Sequence, residues 1–477
     1  YAAAGAFDPK VPAACCPVNG PPTCFVRQHS SGSESLTVAL EITSARPDPA
    51  LFDLPWSTPL EDWPESHLAA LPRGISRHIV RFVKLSGGVL AVKEIKADIA
   101  AREFGMLRSL VRMDLPCVTP VGVVTGRIGT DGEPLDACLI TRHLQFSLPY
   151  RALYSQALRP DTAARLVDAL AVLLVKLHLD GFWWGDVSLS NTLFRRDAGA
   201  FAAYLVDAET GEMHARLSDG QRAHDLEIAR VNIAGELMDL QAGGFLEDHT
   251  DPVETATEIV RRYESLWSEL TGVERFETGD RWRVDERIRR LNALGFDVGE
   301  LAMSTDIGGT TIQIQPKVVD AGHHSRRLLR LTGLDVEENQ ARRLLNDLDS
   351  FRAATDRLGD DESVVAHDWL VNVYEPTVRA VPRELRGKLE AAEVFHEVLE
   401  HRWYLSERAG RDLPLADTIQ DYVRTVLPTK PDESAVLGID TRAMPVLGGD
   451  LDLDGDSDLD IADDDTNGDV GDEPRDD

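Results

Sequence analysis

The stretch G-F-W-W-G-D-V-S-L-S-N-T-L-F, at residues 181–194, is the part of this sequence that predicts its fold. It follows a long apolar pattern with helical spacing and precedes a short apolar strand, and within it Asp186 and Asn191 stand five residues apart. A second apolar run at residues 203–206 is followed by Asp207. The pattern predicts a loop that carries an acid and an amide, followed by a strand that ends in a second acid.

These three side chains have the chemistry that phosphoryl transfer from ATP requires. One carboxylate must orient the acceptor hydroxyl, while an amide and a second carboxylate must hold magnesium. We assign the first role to Asp186 and predict that Asn191 and Asp207 are the magnesium ligands. The spacing D-x-x-x-x-N is common by itself, and a turn or a helix cap is the alternative for any single Asp. The flanking helix, glycines and strands favour a catalytic loop.

A lysine inside an apolar strand, Lys93 in the segment A-V-K, is a candidate for contact with nucleotide phosphates. The chain has eight lysines and 42 arginines, so a lysine at this position suggests that a compact ammonium group is required. In a kinase this lysine would hold the α- and β-phosphates and pair with a glutamate of the next helix, for which Glu103 is the candidate. An edge-strand lysine that faces solvent is the alternative interpretation.

A phosphate-binding loop is only weakly indicated. The segment L-P-R-G-I-S at residues 71–76 has a single glycine, which gives little support for cradling of phosphates by backbone N–H groups. Gly74 and Ser76 are the candidate cofactor-binding residues of this segment.

The order of predicted elements favours an α+β protein with two lobes. Strand-like segments at residues 77–85 and 89–95 are joined by a Ser-Gly-Gly turn, which predicts a hairpin. A helix at residues 98–113 and two further strands follow. From about residue 150 the pattern is mainly helical, so a small β-rich lobe is expected over a larger helical lobe.

The last third of the structured sequence has a different texture. An arginine-rich helix is followed by a hairpin with alternating residues at 311–315, and then by another helix. Asp335 and Glu338 are expected to form the capping box of that helix. These elements predict a small α-β-β-α module, followed by a helical segment at residues 365–427.

The patterns divide the chain into five regions. They are a disordered or non-native segment at residues 1–37, an N-lobe at 51–145, a C-lobe at 146–270, a C-terminal domain at 271–428 and an acidic disordered tail at 429–477. Disorder is expected in the tail because residues 450–477 contain 14 acidic residues and too little apolar surface to offset the entropy of ordering.

Composition restricts the partners and the location. The formal net charge of −31 repels nucleic acid and anionic lipid, so neither is a favoured partner. The sequence has no run of about 18 apolar residues, so no membrane span is expected. Its five cysteines lack zinc-binding spacing and are odd in number, which favours a reducing, cytoplasmic location.

With these residues in view, residues 71–245 resemble the protein-kinase-like superfamily. The pattern L-H-x-x-G-x-x-x-G-D-x-x-x-x-N at residues 177–191 is similar to that of the small phosphotransferase and lipopolysaccharide-kinase branch. The span 38–428 resembles an actinobacterial family described as lipopolysaccharide-kinase-like, with a C-terminal domain of unknown function. The resemblance implies a bilobal protein-kinase-like fold, with a β-rich N-lobe and a helical C-lobe, and it implies ATP and Mg²⁺ as cofactors.

Several positions depart from the protein-kinase pattern. Trp184 and Gly185 stand where protein kinases have His-Arg, and Ser188 stands where a lysine is frequent. Asp207 is followed by Ala-Glu instead of Phe-Gly. These differences leave two hypotheses open. The first is a phosphotransferase that acts on a hydroxyl-bearing substrate of unknown identity. The second is a pseudokinase with a nucleotide-binding or scaffolding role, whose C-terminal domain binds a protein partner.

A basic segment, A-G-H-H-S-R-R at residues 321–327, stands out in this acidic chain. It could bind an anionic substrate or the acidic patch of a partner, and a solvated helix start is the alternative.

Overall fold

A computed structural model describes residues 40–45, 47–69, 78–85, 88–154, 160–246, 250–280, 282–306 and 310–434 of the chain. The predicted N-terminal segment and residues 435–477 of the predicted tail lie outside the described residues. The candidate cofactor-binding residues Gly74 and Ser76 lie outside them as well.

The first lobe is an antiparallel sheet of five strands with one helix. Its elements are β1 (Glu41–Ser44), β2 (Ile79–Leu85), β3 (Gly88–Ile95), α1 (Ala97–Arg112), β4 (Pro120–Thr125) and β5 (Ala137–Arg142). The strands lie in the order β1-β4-β5-β3-β2. The expected hairpin is formed by β2 and β3, which are rich in the β-branched residues that suit a pleated surface.

The two faces of this sheet contribute to different apolar clusters. Ile95 and Leu139 pack in one cluster with the apolar face of α1. Val92 and Ile140 alternate with them along β3 and β5, so they point to the opposite face. There they pack with Trp56 and its neighbours, in the segment of short 3₁₀ turns between β1 and β2. The sheet is therefore covered on both sides.

A buried arginine holds that covering segment in place. Arg127, which follows β4, donates from Nε to the carbonyl of Trp56 at 3.0 Å and from Nη2 to the carbonyl of Thr58 at 2.7 Å. Its Nη1 forms an ion pair with Glu94 on β3 and donates to the carbonyl of Asp136 at 2.7 Å. Because this side chain is fully buried, these acceptors must replace the water that a guanidinium group would otherwise bind.

The second lobe is mainly helical. Its elements are β6 (Leu148–Pro149), α2 (Tyr150–Tyr154), α3 (Pro160–Leu179), β7 (Phe182–Trp183), β8 (Thr192–Asp197), β9 (Ala200–Leu205), β10 (Glu212–Met213), α4 (Asp219–Ala242) and α5 (Pro252–Thr271). A capping box at Ser218 begins α4, and the side chain of Asp251 caps α5. The motif that predicted the fold runs from β7 to β8. Its apolar side chains pack in one cluster with those of α3, α4 and α5.

The C-terminal part has a sheet of three strands and seven helices among the described residues. The elements are β11 (Glu274–Glu277), α6 (Trp282–Ala293), β12 (Phe296–Thr305), β13 (Thr311–Ala321), α7 (His323–Thr332), α8 (Glu338–Ala354), α9 (Glu362–Trp369), α10 (Glu375–Arg379), α11 (Ala391–Ala409) and α12 (Leu415–Thr425). The strand order is β11-β13-β12. Leu291 and Phe296 belong to the apolar cluster of the second lobe, so this part packs directly on it.

These three parts confirm the α+β class and the bilobal arrangement with a smaller C-terminal domain. The strand β1 was not expected from the sequence, because four residues without clear periodicity pair only with β4. Among the helices that the structure describes, none combines the length and the apolar character needed to cross a membrane.

The expected capping box of Asp335 and Glu338 is wrong. The N-cap residue of α8 is Glu337, whose side chain accepts from the backbone N–H at the third helical position. Gln340 completes the box, since its Oε1 accepts from the backbone N–H of Glu337 at 3.3 Å.

Glu338 is bound instead to the start of α7. It accepts hydrogen bonds from the backbone N–H groups of His324 and Ser325, at 2.7 and 3.0 Å, and from both of their side chains. Burial opposes its ionisation, but these hydrogen bonds lower the pKa of Glu338 to about 2. The sequence suggests that the basic segment could bind an anion. At the start of α7 that anion is the carboxylate of Glu338, from the same chain.

A tight contact joins the β8–β9 hairpin to the C-terminal part. Asp197, at the end of β8, accepts from the backbone N–H of Gln340 at 2.7 Å and from the side-chain Nδ2 of Asn339 at 2.8 Å. The next residue, Ala198, donates its N–H to Glu393 of α11 at 2.8 Å. Burial, and then the nearby charge of Glu337, raise the pKa of Asp197 to about 7.

We expect Arg127→Ala to lower the free energy of unfolding by about 3–5 kcal/mol, because it leaves Glu94 without its ion-pair partner and the buried carbonyl of Trp56 without a donor. Urea denaturation followed by tryptophan fluorescence measures the change. Arg379→Ala is the control, since that side chain is 72% exposed, and a loss as small as the control's would contradict the role given to Arg127.

We expect Asp197→Asn to remove a contribution to stability that falls as pH rises from 4 to 7. With a pKa near 7 when folded and near 4 when unfolded, Asp197 binds more proton in the folded state across this window. Its contribution therefore falls as pH rises, by up to about 1.4 kcal/mol per pH unit. Denaturation of both proteins at four pH values tests this, and parallel curves would contradict it. Asp412→Asn, at a side chain that is 79% exposed, is the control.

Candidate active site

The ammonium group of Lys93 lies among three carboxylates from two distant parts of the chain. Its Nζ is 3.2 Å from Glu103 on α1, 2.5 Å from Asp207 after β9, and 3.3 Å from Glu209. Lys93 reaches them because it alternates with Val92 along β3 and so points to the face on which α1 packs. The structure thus brings together three residues predicted from the sequence and adds Glu209.

Charge is unevenly distributed in this cluster. Burial works against a charged Lys93, but Glu103, Asp207 and Glu209 outweigh burial and raise the pKa of the lysine. Burial, and then the charge of Asp207, raise the pKa of Glu103 to about 7, although Lys93 opposes this shift. Three carboxyl groups share a single ammonium, so the cluster has negative charge in excess and favours a further cation.

Asp186 and Asn191 form a second group, on the loop between β7 and β8. The Nδ2 of Asn191 donates to the backbone carbonyl and to Oδ2 of Asp186, each at 3.1 Å. From α4, the Nδ2 of Asn232 donates to Oδ1 of Asp186 and to the carbonyl of Val187, each at 3.2 Å. Both carboxylate oxygens of Asp186 are therefore held, and the amide oxygen of Asn191 is the atom suited to a cation.

A buried carboxylate on α4 fixes the backbone before Asp186. The two oxygens of Asp225 accept from the N–H groups of Trp184 and Gly185, at 2.8 and 2.7 Å. His178, at the end of α3, lies 3.1 Å from the same carboxylate through Nε2 and 2.7 Å from the Tyr263 hydroxyl through Nδ1. Asp225 is fully buried, so these donors stabilise its charge in place of water.

The second half of the loop is held in the same way. Glu236 of α4 accepts from the N–H groups of Leu189 and Ser190, at 2.7 and 2.9 Å. Burial raises the pKa of this carboxyl group, while these hydrogen bonds partly offset the shift. Ser188, where a lysine is frequent in protein kinases, accepts from the N–H of Asn191 through its hydroxyl at 3.2 Å. Ser188 therefore shapes the loop.

Trp184 connects the loop to the Lys93 cluster. Its indole is fully buried and donates from Nε1 to the carbonyl of Asp207 at 2.9 Å, while its own carbonyl accepts from Thr210 at 2.7 Å. Gly185 follows with φ of +77°, and a Cβ there would lie 2.9 Å from the ring of Trp183. The glycine before Asp186 is therefore required by both conformation and space.

Sequence reasoning missed Asp225, Asn232 and Glu236. Their spacing of seven and four residues places them on one face of α4, together with the buried residues Ala229 and Ile233. Polar residues that share a helical face with buried small and branched residues are a detectable pattern. It is easily overlooked, because charged residues on a helix usually mark the face in contact with solvent.

The donor set fits a magnesium ion. One oxygen each of Glu103, Asp207 and Glu209 lie within 4.8 Å of one another. Mg²⁺ prefers carboxylate and amide oxygens and usually takes only one or two carboxylates from the protein. Asp207 and the amide oxygen of Asn191 are of this kind, and a metal that took Asp207 would share this carboxylate with Lys93.

The two lobes, the Lys93 cluster and the Asp186 loop define a protein-kinase-like domain. Residues 84–235 match the family described as Lipopolysaccharide kinase (Kdo/WaaP) family, and residues 265–427 match Domain of unknown function (DUF4032). These matches confirm the resemblance to the lipopolysaccharide-kinase-like branch of the kinase-like fold and the presence of a C-terminal domain of unknown function.

A comparison with solved structures gives, among its matches, the structure titled "WaaP in complex with acyl carrier protein". It is 16% identical in sequence with a TM-score of 0.30, and the alignment covers 46% of this chain and 87% of that chain. The comparison with curated proteins gives no match.

We expect Asp225→Asn to lower the free energy of unfolding by about 2–3 kcal/mol, because an amide turns an N–H donor towards the N–H of Trp184 or Gly185. Thermal and urea denaturation measure this loss. Asp219→Asn is the matched control, since it lies on the same helix and its side chain is 98% exposed. Equal stability of the two variants would show that Asp225 does not fix the loop.

Proposed function

We propose that the protein is an ATP- and Mg²⁺-dependent phosphotransferase that transfers the γ-phosphoryl group to a hydroxyl acceptor. The observation that carries this proposal is the Lys93 cluster, in which one ammonium contacts both Glu103 and Asp207. Its position beside a loop with Asp186 and Asn191 supplies the remaining groups that this chemistry uses. The family match at residues 84–235 supports the same reaction class.

The residues divide the work by charge and position. Lys93 binds the α- and β-phosphates, and Glu103 orients it from α1. Asp207 and Asn191 would hold the metal, which would supply positive charge to neutralise the phosphates. Asp186 accepts a hydrogen bond from the acceptor hydroxyl and aligns it for attack, since both of its oxygens are already oriented by Asn191 and Asn232.

The acceptor is a hydroxyl group on a sugar, a glycan, a small metabolite or a protein. A cytoplasmic location is part of this proposal and is supported by the described cysteines, Cys117 and Cys138, which are buried free thiols. Burial raises the pKa of both to about 12, so neither is suited to nucleophilic chemistry.

The division into an N-lobe at 51–145, a C-lobe at 146–270 and a C-terminal domain at 271–428 is also part of the proposal. The C-terminal domain braces the β8–β9 hairpin. Arg196 of β8 also pairs at 2.6 Å with Glu433, which lies beyond residue 428 in the segment that was expected to be disordered. A protein partner that binds this domain remains a prediction.

A pseudokinase is the second candidate, and one observation favours it. Glu209 occupies the position that follows Asp207 by two residues and lies 3.3 Å from Lys93. It adds a negative charge where the phosphates of ATP would bind. Unless a divalent cation enters with the nucleotide, this arrangement repels ATP. If ATP does not bind, the protein is a pseudokinase that acts through the assembly of its domains.

Calorimetric titration with ATP, with and without MgCl₂, tests the proposal. We expect binding that requires Mg²⁺ and weakens at least about tenfold in Asp207→Asn, because one metal ligand loses its charge. Asp412→Asn, at a side chain that is 79% exposed, is the control and should bind like the parent.

Asp186→Asn separates binding from transfer. We expect this variant to bind Mg²⁺ and ATP normally but to transfer labelled phosphate from ATP to a metabolite or glycan mixture about 10²–10⁴ times more slowly. Absence of nucleotide binding by the parent would exclude the phosphotransferase. Binding without transfer in either protein would favour the pseudokinase.

A further inference from the structure

A cavity of about 430 Å³ lies in the N-lobe, away from the Lys93 cluster. It is bounded by the last turn of α1, the start of β4, the end of β5 and the turn end of the β2–β3 hairpin. Its volume lies within the range of about 300–1,000 Å³ that is typical of small-ligand sites.

Three arginines line this cavity from two elements. Arg108 and Arg112 stand four residues apart on α1, so they share one face of the helix, and Arg142 is the last residue of β5. The guanidinium of Arg108 lies 5.5 Å from the centre of the Phe104 ring, which holds it in place. Within the described part of the chain, none of the three guanidinium groups forms an ion pair or a side-chain hydrogen bond.

The chain has a net charge of −31, and many arginines in the described residues pair with acids, whereas these three do not. Asp48 is the one acidic residue among the described residues that line the cavity. Its carboxylate is already engaged, because it accepts from the N–H of Ala50 at 3.0 Å as the cap of a 3₁₀ turn. The unsatisfied charge in the cavity is therefore positive.

Much of the remaining lining is apolar, and its apolar strand residues belong to the face of the sheet opposite Lys93. Leu85, Leu90 and Val121 line the cavity and pack with the cluster that covers this second face. Leu90 and Lys93 are an odd number of residues apart on β3, so their side chains point to opposite faces. The cavity is thus a different site from the candidate active site.

We propose that this cavity binds an organic phosphate. The planar forks of Arg108, Arg112 and Arg142 match the oxygens of a phosphate group, which arginine binds in bidentate fashion. The apolar residues Leu85 and Leu90 accept a hydrophobic or aromatic moiety of the same ligand. The proposal does not depend on phosphotransfer at the Lys93 site.

Calorimetry with 1-naphthyl phosphate and with inorganic phosphate, on the full chain without nucleotide, tests this site. We expect 1-naphthyl phosphate to bind at least about tenfold more tightly than inorganic phosphate, because the ring is buried on the apolar lining. Arg142→Glu and, independently, Arg112→Glu should each weaken binding at least about tenfold, since each removes a charge-assisted hydrogen bond. Arg142→Lys should recover only part of the loss, because it restores charge without the fork.

Two controls locate the site. Arg379→Glu changes an arginine that is 72% exposed on α10, and Lys93→Met removes the ammonium of the candidate active site. Both should bind 1-naphthyl phosphate within about twofold of the parent. Circular dichroism and the thermal midpoint show whether each variant is folded. Because Arg112→Glu lies on α1 and Arg142→Glu on β5, one variant still tests the site if the other does not fold.

Three results would overturn the proposal. The first is no binding of 1-naphthyl phosphate to the parent at about 10 mM, which is weaker than a specific site of this kind. The second is binding that is lost in Lys93→Met and kept in Arg142→Glu, which would assign it to the active site. The third is equal affinity for the two probes, which would remove the role of the apolar lining.

Discussion

The partly buried ammonium group of Lys93 joins the two lobes at the candidate active site. Lys93 and Asp207 are 114 residues apart in sequence, and their contact joins the sheet of the first lobe to the segment that follows β9 in the second. A second contact strengthens this link, because Arg102 of α1 donates to the carbonyl of Glu209. A charged lysine in this position would be costly without partners, so β3, α1 and residues 207–209 stabilise the structure only when they are together.

The loop that carries Asp186 is held in place by side chains of the helices around it. Asp225, Asn232 and Glu236 of α4 hold the backbone and the carboxylate of the Asp186 loop. His178 of α3 contacts Asp225 and is itself held by the hydroxyl of Tyr263 on α5. Trp184 then joins this support to the Lys93 cluster. A site fixed by side chains of packed helices is held more rigidly than one that rests on a loop alone, and positioning is most of what phosphoryl transfer requires.

The sequence predicts those contacts of the site that join residues close together in the chain, and it misses those that join distant residues. Lys93 with Glu103 and Asp186 with Asn191 are five to ten residues apart, so strand and helix spacing is enough to predict them. Asp225 contacts residues 40 and 41 positions earlier in sequence, and its local surroundings resemble an ordinary exposed helix. The capping box of α8 fails for the same reason, because Glu338 contacts residues 13 and 14 positions earlier in sequence, at a helix start that local pattern does not reveal.

The charge at the Lys93 cluster decides which of the two functions the chain can perform. Glu103, Asp207 and Glu209 outnumber the single ammonium, and the phosphates of a nucleotide would add further negative charge to the same space. Under the proposed function, a nucleotide would therefore bind only together with a divalent cation that takes Asp207 as a ligand. The glycine that ordinarily follows the metal-binding aspartate by two residues carries no charge, whereas Glu209 does. Under the proposed function, Glu209 would therefore oppose binding of a nucleotide without metal. The same carboxylate would strengthen binding of the divalent cation.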